Sequence, residues 1–331
     1  MAKGIISAKY LYDIAEAIRV KSGSQSTITP AQMAAAIAEI DGTLSGSITP
    51  STSTDKGIIT SSIMTGIADA IRAKLDVQTQ YSPSQMADAI LAIQAAGPTI
   101  VPWSTGTDAE VGAMIDAAHA GTIDLQQDGG WAVGDVRTIS ISAFTGGGGV
   151  NIAAQDIDIV ITSFDEYMEC GNILQFDFKD ALAINTFMNQ AGSSAGGYGS
   201  SIMKTTTIPA LVDALPDWLK SRLLEFSVLA CSGGTSTTIN TVTGNKLALR
   251  SEIEVTGTTS YSAAGEGSQI GYYATANNRK KKRGHTGAND AWWTRSSSPN
   301  ANRSFCQINS GGSATYNQAN YGGTIAPFGC L

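Results

Sequence analysis

The chain has 331 residues, room for two or three domains and at least one sizeable core. Charged residues make up only 15% and apolar residues 42%, while 34 Ser, 33 Thr and 36 Gly fill about a third of the chain, which argues against a long coiled coil or a helical enzyme bundle. The net charge of −7 is unevenly spread: residues 277–331 carry seven basic side chains and one acidic (Asp290), net +6, leaving −13 on the remainder.

The N-terminus, MAKGIISAKYLYDIAEAI, lacks the layout of a signal peptide and runs into a helical pattern. No window of 18 apolar residues occurs, so no membrane insertion is expected. Residues 13–40 align without gaps on 66–93, with 14 of 28 positions identical, among them Ile14, Ile18, Arg19, Pro30, Gln32, Met33 and Ile37. A copy this faithful identifies a structural unit. Leu11, Ile14 and Ile18 recur at helical spacing, as do Met33, Ile37 and Ile40, so each unit reads as two amphipathic helices. Thr29 (Ser82 in the second copy) is placed to cap, and Pro30 (Pro83) suits the first helical position. Each hairpin's apolar stripe is too small to form a core alone. It must pack on its sister, on other copies or on a larger scaffold.

The boundaries read as follows: hairpin repeat 1 at 1–42, a linker at 43–57, repeat 2 at 58–94, a linker plus helix at 95–128, and one α+β domain at 129–331. In the helix, Thr107 caps, Val111, Met114, Ile115 and Ala118 form the stripe, and Gly121 ends it. His119 in its last turn complements the helix dipole.

Beyond Gly129 the period changes to that of strands: Arg137, Ile139 and Ile141, then Ile157, Ile159 and Ile161. Asp156 and Asp158 share the face opposite those isoleucines. Paired carboxylates suit calcium binding or acid–base work, but no loop ligand pattern follows, and they read as a solvated strand face. Helix signals return at 180–189 and 216–224, and short strands at 226–230 and 246–249. The tail reads as a β-meander of 291–296, 304–310, 313–318 and 324–329.

The chain contains no phosphate-binding glycine loop, dinucleotide fingerprint or HExxH, so neither cofactor nor metal is expected. A formal GxSxG occurs at Gly192–Gly196, but it follows a helical segment rather than a strand, and His285, the nearest downstream histidine, abuts five basic residues. The chain reads as a non-enzyme. The run Arg279–Arg283 reads as a solvated loop or a polyanion contact; without interleaved aromatics or a recognition helix, nucleic acid is not expected. The four cysteines show no ligand spacing, and free, structural thiols are the default. Eight of 14 asparagines fall within 277–320, mixed with Ser, Gly, Gln and Tyr, the composition of adaptable recognition surfaces.

The segments Gly196–Tyr198, Leu215–Lys220, Lys246–Val255, Trp292-Trp293-Thr294-Arg295-Ser296 and Ala326–Phe328 together resemble a family of uncharacterised function, frequent in phage tail proteins and in prophage and surface proteins of Gram-positive bacteria. The resemblance covers about residues 100–331, and Trp-Trp-x-Arg-Ser is its most specific element. It implies a fold similar to C-type lectins and the formylglycine-generating enzyme, and hence an α+β chain of repeated helical hairpins followed by a C-type-lectin-like domain. The implied function is a virion adhesin, a tail fibre or tail-tip protein binding a bacterial surface glycan or protein receptor, with a structural tail or baseplate role as the alternative. Other phage tail proteins are the further implied partners, and a homotrimer the implied assembly, made in the host cytoplasm. The composition of the tail places receptor binding at Asn300, Asn302, Arg303, Gln307, Asn309, Tyr316, Asn317, Gln318, Asn320 and Tyr321. In relatives with this fold, retroelements diversify a C-terminal segment at asparagine codons, which the asparagines at 300–320 would suit. Calcium-lectin Glu-Pro-Asn is here Ser298-Pro299-Asn300, and Trp-Asn-Asp is absent, so calcium-dependent sugar binding is not implied. Trp292 and Trp293 alternate faces, and Arg295, sharing the face of Trp293, is placed to anchor a carbonyl or carboxylate; these three are assigned to the scaffold.

Overall fold

The computed structural model describes residues 3–22, 28–38, 56–75, 80–91, 99–164, 167 and 174–331. The chain divides into two compact units, Met1–Gly97 and Pro98–Leu331. It mixes helix and sheet in both, as the α+β expectation requires.

The first unit contains β1 (Lys3–Ser7), α1 (Ala8–Ser22), α2 (Pro30–Ala38), β2 (Lys56–Thr60), α3 (Ser61–Leu75) and α4 (Pro83–Leu91). Both second helices begin at their proline. The cap is supplied largely by a glutamine three residues on: Gln32 Oε1 accepts from the Thr29 N–H at 3.0 Å, and Gln85 Oε1 from the Ser82 N–H at 2.9 Å. The two copies interlock, since α1 packs on α4 and α2 on α3. Ile14, Ile18, Met33, Ile37, Ile67, Ile71, Met86 and Ile90 form their common core. Within the chain, each copy's apolar stripe is covered by its sister.

The strands were not anticipated. β1 and β2 pair antiparallel, with Lys3 opposite Thr60 and Ser7 opposite Lys56. Their sequences, KGIIS and KGIIT, carry the same 53-residue offset as the helices, so the repeat extends upstream of the aligned stretch. Lys56 and Gly57 therefore belong to a strand rather than to the linker 43–57, the rest of which lies outside the described residues. Most of the connection KSGSQST also lies outside them.

The second unit begins at Pro98 and takes in the helix expected between the domains. It contains α5 (Asp108–His119), β3 (Val136–Ile141), β4 (Phe144–Thr145), β5 (Asn151–Ile152), β6 (Gln155–Ser163), β7 (Gln175–Phe178), α6 (Ile208–Ala214), α7 (Asp217–Lys220), β8 (Phe226–Cys231), β9 (Ile239–Asn245), β10 (Leu247–Ala248), α8 (Glu252–Thr256), β11 (Lys281–Lys282), β12 (Asn289–Asp290), β13 (Trp292–Ser297), β14 (Ser304–Ile308), β15 (Ala314–Gln318) and β16 (Phe328–Cys330). Thr107 and Glu110 form a reciprocal capping box at the start of α5, whose buried face is Val111, Gly112, Met114 and Ile115. Trp103 lies edge-on to Trp131 at 5.1 Å, and Trp131 Nε1 donates to Val101 O, which docks the preceding segment on the same core.

Five antiparallel strands make the main sheet, in the order β10-β16-β7-β6-β3. A second sheet orders β13-β14-β15, and β8 pairs with β9. The tail is therefore only partly a meander. Its last strand leaves the hairpin and inserts between β10 and β7, Phe328 lying opposite Asp177. Residues 180–189 are not helical either: Ala181 and Thr186 bridge to Arg283 and Gly323, so their backbone groups are satisfied by the tail instead. A helical stretch the sequence reading passed over runs through Met203–Thr207 into α6. β6, central between β7 and β3, is buried on both faces from Ile157 to Ser163. Asp158 is thus buried rather than solvated.

Cys231 and Cys306 are free and buried, whereas Cys330 is disulfide-bonded, which corrects the expectation of free thiols throughout. Cys170 lies outside the described residues.

Candidate functional site

The Trp-Trp-x-Arg-Ser strand sets the frame of the C-terminal surface. Trp292 and Trp293 are both fully buried, on opposite faces of β13. Trp292 Nε1 donates to Arg279 O and Trp293 Nε1 to Thr186 O, each at 3.0 Å, so each indole pins a different loop. Arg295, also fully buried, uses all five of its N–H donors. Nε donates to Leu229 O, Nη1 to Leu249 O and Glu254 Oε2, and Nη2 to Glu254 Oε1 and Glu266 O. One side chain therefore ties β8, the residue after β10, α8 and the 266 loop to β13.

Glu254 answers from the N3 position of α8. Its carboxylate also accepts from the Ser251 N–H at 2.9 Å and from Tyr167 Oη at 2.5 Å. Burial alone would raise its pKa, but the Arg295 guanidinium overcomes this and holds the carboxyl below its ordinary range. A second buried pair lies in the main sheet, where Arg250 Nε and Nη2 grip Asp177 at 3.0 and 2.7 Å. Asp177 accepts further from Tyr273 Oη and Thr162 Oγ1, and Arg250 lies 3.6 Å over the Phe328 ring. In the sequence, Arg250 and Glu254 stand out only within the resembling segment Lys246–Val255. A usable signal was present: Ser251-x-x-Glu254 is a capping-box spacing, and its charges interrupt an apolar run.

Glu266 lines a cleft of about 300 Å³ beside this pair. Its carboxylate accepts from the Cys231 N–H at 2.7 Å and from Ser296 Oγ. Burial pushes its pKa up to about 7, against the opposing pull of Arg295 and with a smaller push from Glu254. Cys306 on β14 is hydrogen-bonded instead to Glu252, and burial pushes its thiol pKa well up. Because the folded-state pKa lies above the ordinary 4.5, the folded form takes up a proton between those values. Stability linked to Glu266 is full below pH 4.5 and is lost as pH rises to about 7. In Glu266→Gln this loss is expected to vanish, leaving a flatter chemical-denaturation midpoint across that window; an unchanged slope would contradict the assignment.

The ten residues expected to bind a receptor do not form one patch. Asn300, Asn302, Arg303, Asn320 and Tyr321 are exposed and lie on neighbouring loops at one end of the β14–β15 hairpin. Ser194 N donates to Asn302 O, Ala319 N to Arg303 O, and Arg303 Nε to Gly192 O, which fixes the loops to one another. Tyr316 is exposed on β15, its ring 5.2 Å from that of Tyr261. Asn317 and Gln318 are half-buried, and Asn317 Oδ1 accepts from the Gln318 N–H. Asn309 closes the far turn, its Oδ1 accepting from the Gly311 and Ser313 N–H groups. Gln307 is a correction: at 3% exposure, opposite Trp293 on β14, it cannot touch a partner.

The other motifs also resolve. Ser194 of the GxSxG segment is fully buried, its hydroxyl directed at Ala301 O, in a loop rather than a strand–helix elbow. That loop needs glycine: at Gly197 (φ +61°) a Cβ would lie 2.0 Å from Cys231 O. The basic run is solvated only in part: Lys282 and Arg283 are exposed, but Lys281 is not. Lys281 is buried, donates Nζ to Phe178 O and lies 5.0 Å from the Trp292 ring, and burial lowers its pKa to about 8.

The class these features define is an α+β unit whose interior is cross-tied by two buried arginine–carboxylate pairs and whose tail loops are presented at its edge. Residues 181–330 match a domain family described as a domain of unknown function, DUF6273. No curated protein and no solved structure matches the chain.

Proposed function

We propose that the protein is a non-enzymatic adhesin of a phage virion, whose C-terminal domain is C-type-lectin-like and binds a bacterial surface receptor through its tail loops. The observation that carries this reading is the exposed edge formed by Asn300, Asn302, Asn320 and Tyr321, anchored by backbone hydrogen bonds to a stiff interior. Tyr316 and Tyr321 are 51% and 54% exposed, among the most exposed large side chains of the second unit. Rigid aromatic rings beside adaptable amides suit recognition of a glycan or protein surface. The helical repeats at the front serve as the mount, with oligomerisation as a trimer and attachment to other tail proteins part of the same proposal.

The test is whole-cell binding by the full chain carrying Asn300→Ala, Asn302→Ala, Tyr316→Ala, Asn320→Ala and Tyr321→Ala together. Arg303 is left in place because it holds Gly192 O. Binding to host cells is expected to fall by about tenfold or more, with the unfolding midpoint little changed. Undiminished cell binding would reject this edge as the receptor surface. A wild-type protein that ignores cells but captures purified tail proteins would favour the assembly role.

A further inference from the structure

Three chain segments meet away from the tail edge. Asp158 comes from β6, Asp180 follows β7, and His285 sits in the turn between β11 and β12. One ligand atom from each lies within 4.8 Å of the others. His285 Nδ1 is 3.4 Å from Asp158 Oδ1 and 3.7 Å from Asp180 Oδ2. The three line a cleft of about 440 Å³ whose other walls include Tyr272, Asn277, Asn289, Lys179, Lys280 and Lys282.

A separate feature gives the cluster its meaning. Asp180 is only 5% exposed, yet among the described residues no group donates a hydrogen bond to its carboxylate; the His285 ring and the Asp158 carboxylate face it within 4.8 Å. Its oxygens open into the cleft, where they can serve as ligands without first giving up a protein donor. Burial, then the facing Asp158 carboxylate, push the Asp180 pKa up. Asp158 is better supplied, with Thr138 Oγ1 donating to Oδ1 at 2.7 Å and Lys179 Nζ 3.6 Å from Oδ2. These two contacts orient the carboxylate as outer partners of a metal ligand commonly do.

We propose that Asp158, Asp180 and His285 bind one divalent first-row transition-metal ion of the Zn²⁺ type, which joins β6, the end of β7 and the basic β11–β12 ribbon. An imidazole with two carboxylates suits such an ion, whereas calcium prefers six to eight oxygens. The three ligands form one cluster, so a single ion is expected.

The full chain, stripped with EDTA and dialysed, is titrated with ZnCl₂ by calorimetry, and Co²⁺ absorption spectra are recorded in parallel. Saturable binding of one ion is expected, with the unfolding midpoint of the second unit rising by about 5–10 °C at a hundredfold excess over Kd. Asp180→Asn and His285→Gln should each weaken binding by about tenfold or more and remove the Co²⁺ bands, without altering the metal-free midpoint. His285 is 46% exposed at the side chain, so His285→Gln decides the matter even if Asp180→Asn fails to fold. Absence of saturable Zn²⁺ binding, or full binding by His285→Gln, would overturn the assignment. Tight Ca²⁺ binding indifferent to His285→Gln would overturn it as well.

Discussion

Arg295→Ala is expected to destabilise the second unit by about 3–5 kcal/mol, a loss comparable to the whole stability of many domains. The size follows from what the guanidinium leaves behind. Glu254, with its side chain 2% exposed, keeps only the Tyr167 hydroxyl and the Ser251 N–H, and three main-chain carbonyls lose their donor. Arg295→Lys should fare little better, because a single ammonium cannot fork to both carboxylate oxygens while reaching three carbonyls on different elements. The double variant Arg295→Met with Glu254→Leu is expected to be less destabilised than Arg295→Ala alone, since it removes the orphaned charge together with its partner. Urea midpoints followed by tryptophan fluorescence read all three. A wild-type midpoint in Arg295→Ala would show that the pair is ornamental to stability.

Asp177→Ala should cost about as much and should also change the acid limb of the stability curve. Burial alone would raise the Asp177 pKa, but Arg250, by charge and by two hydrogen bonds, brings it below the ordinary 3.8. The sign follows: the stabilisation is complete above that pH and is lost as pH falls through the lower folded-state value. Wild-type protein should therefore weaken steeply in strong acid, and Asp177→Asn should lie lower at neutral pH with a shallower acid limb. Its neutral amide offers one acceptor where Arg250, Tyr273 and Thr162 need several, and Arg250 already has one nitrogen, Nη1, without a hydrogen bond. Parallel acid limbs in the two proteins would place the acid sensitivity elsewhere.

Periodicity made the helices of the repeats, α5, β3, β6 and the β13–β15 hairpin strands legible, because each has a face of regular spacing or an aromatic cluster to betray it. It failed at 180–189, where an apolar run of helical appearance is claimed by long-range pairing with the tail. It failed again for β16, since the sequence of Phe328–Cys330 carries no sign of which sheet will accept it. The candidate surface was half legible. Asn300, Asn302, Asn320 and Tyr321 emerged from composition, but composition does not distinguish Gln307 under Trp293 or Asn309 in a turn from a side chain facing solvent. The grouping of Asp158, Asp180 and His285 was invisible for a related reason: their separations of 22 and 105 residues are set by sheet order and not by local spacing.

The crosswise packing of the N-terminal repeats has a consequence for how that unit responds to dilution. Two separate copies held together by the same apolar stripes would dissociate as their concentration fell, and their fold would dissolve with the dimer. Here the second copy follows 53 residues along the same chain. Association is a chain-closure event at an effective concentration of about a millimolar, set by the connecting segment and independent of how many molecules surround it. The duplicated unit thus carries within one chain the partner for each of its apolar stripes.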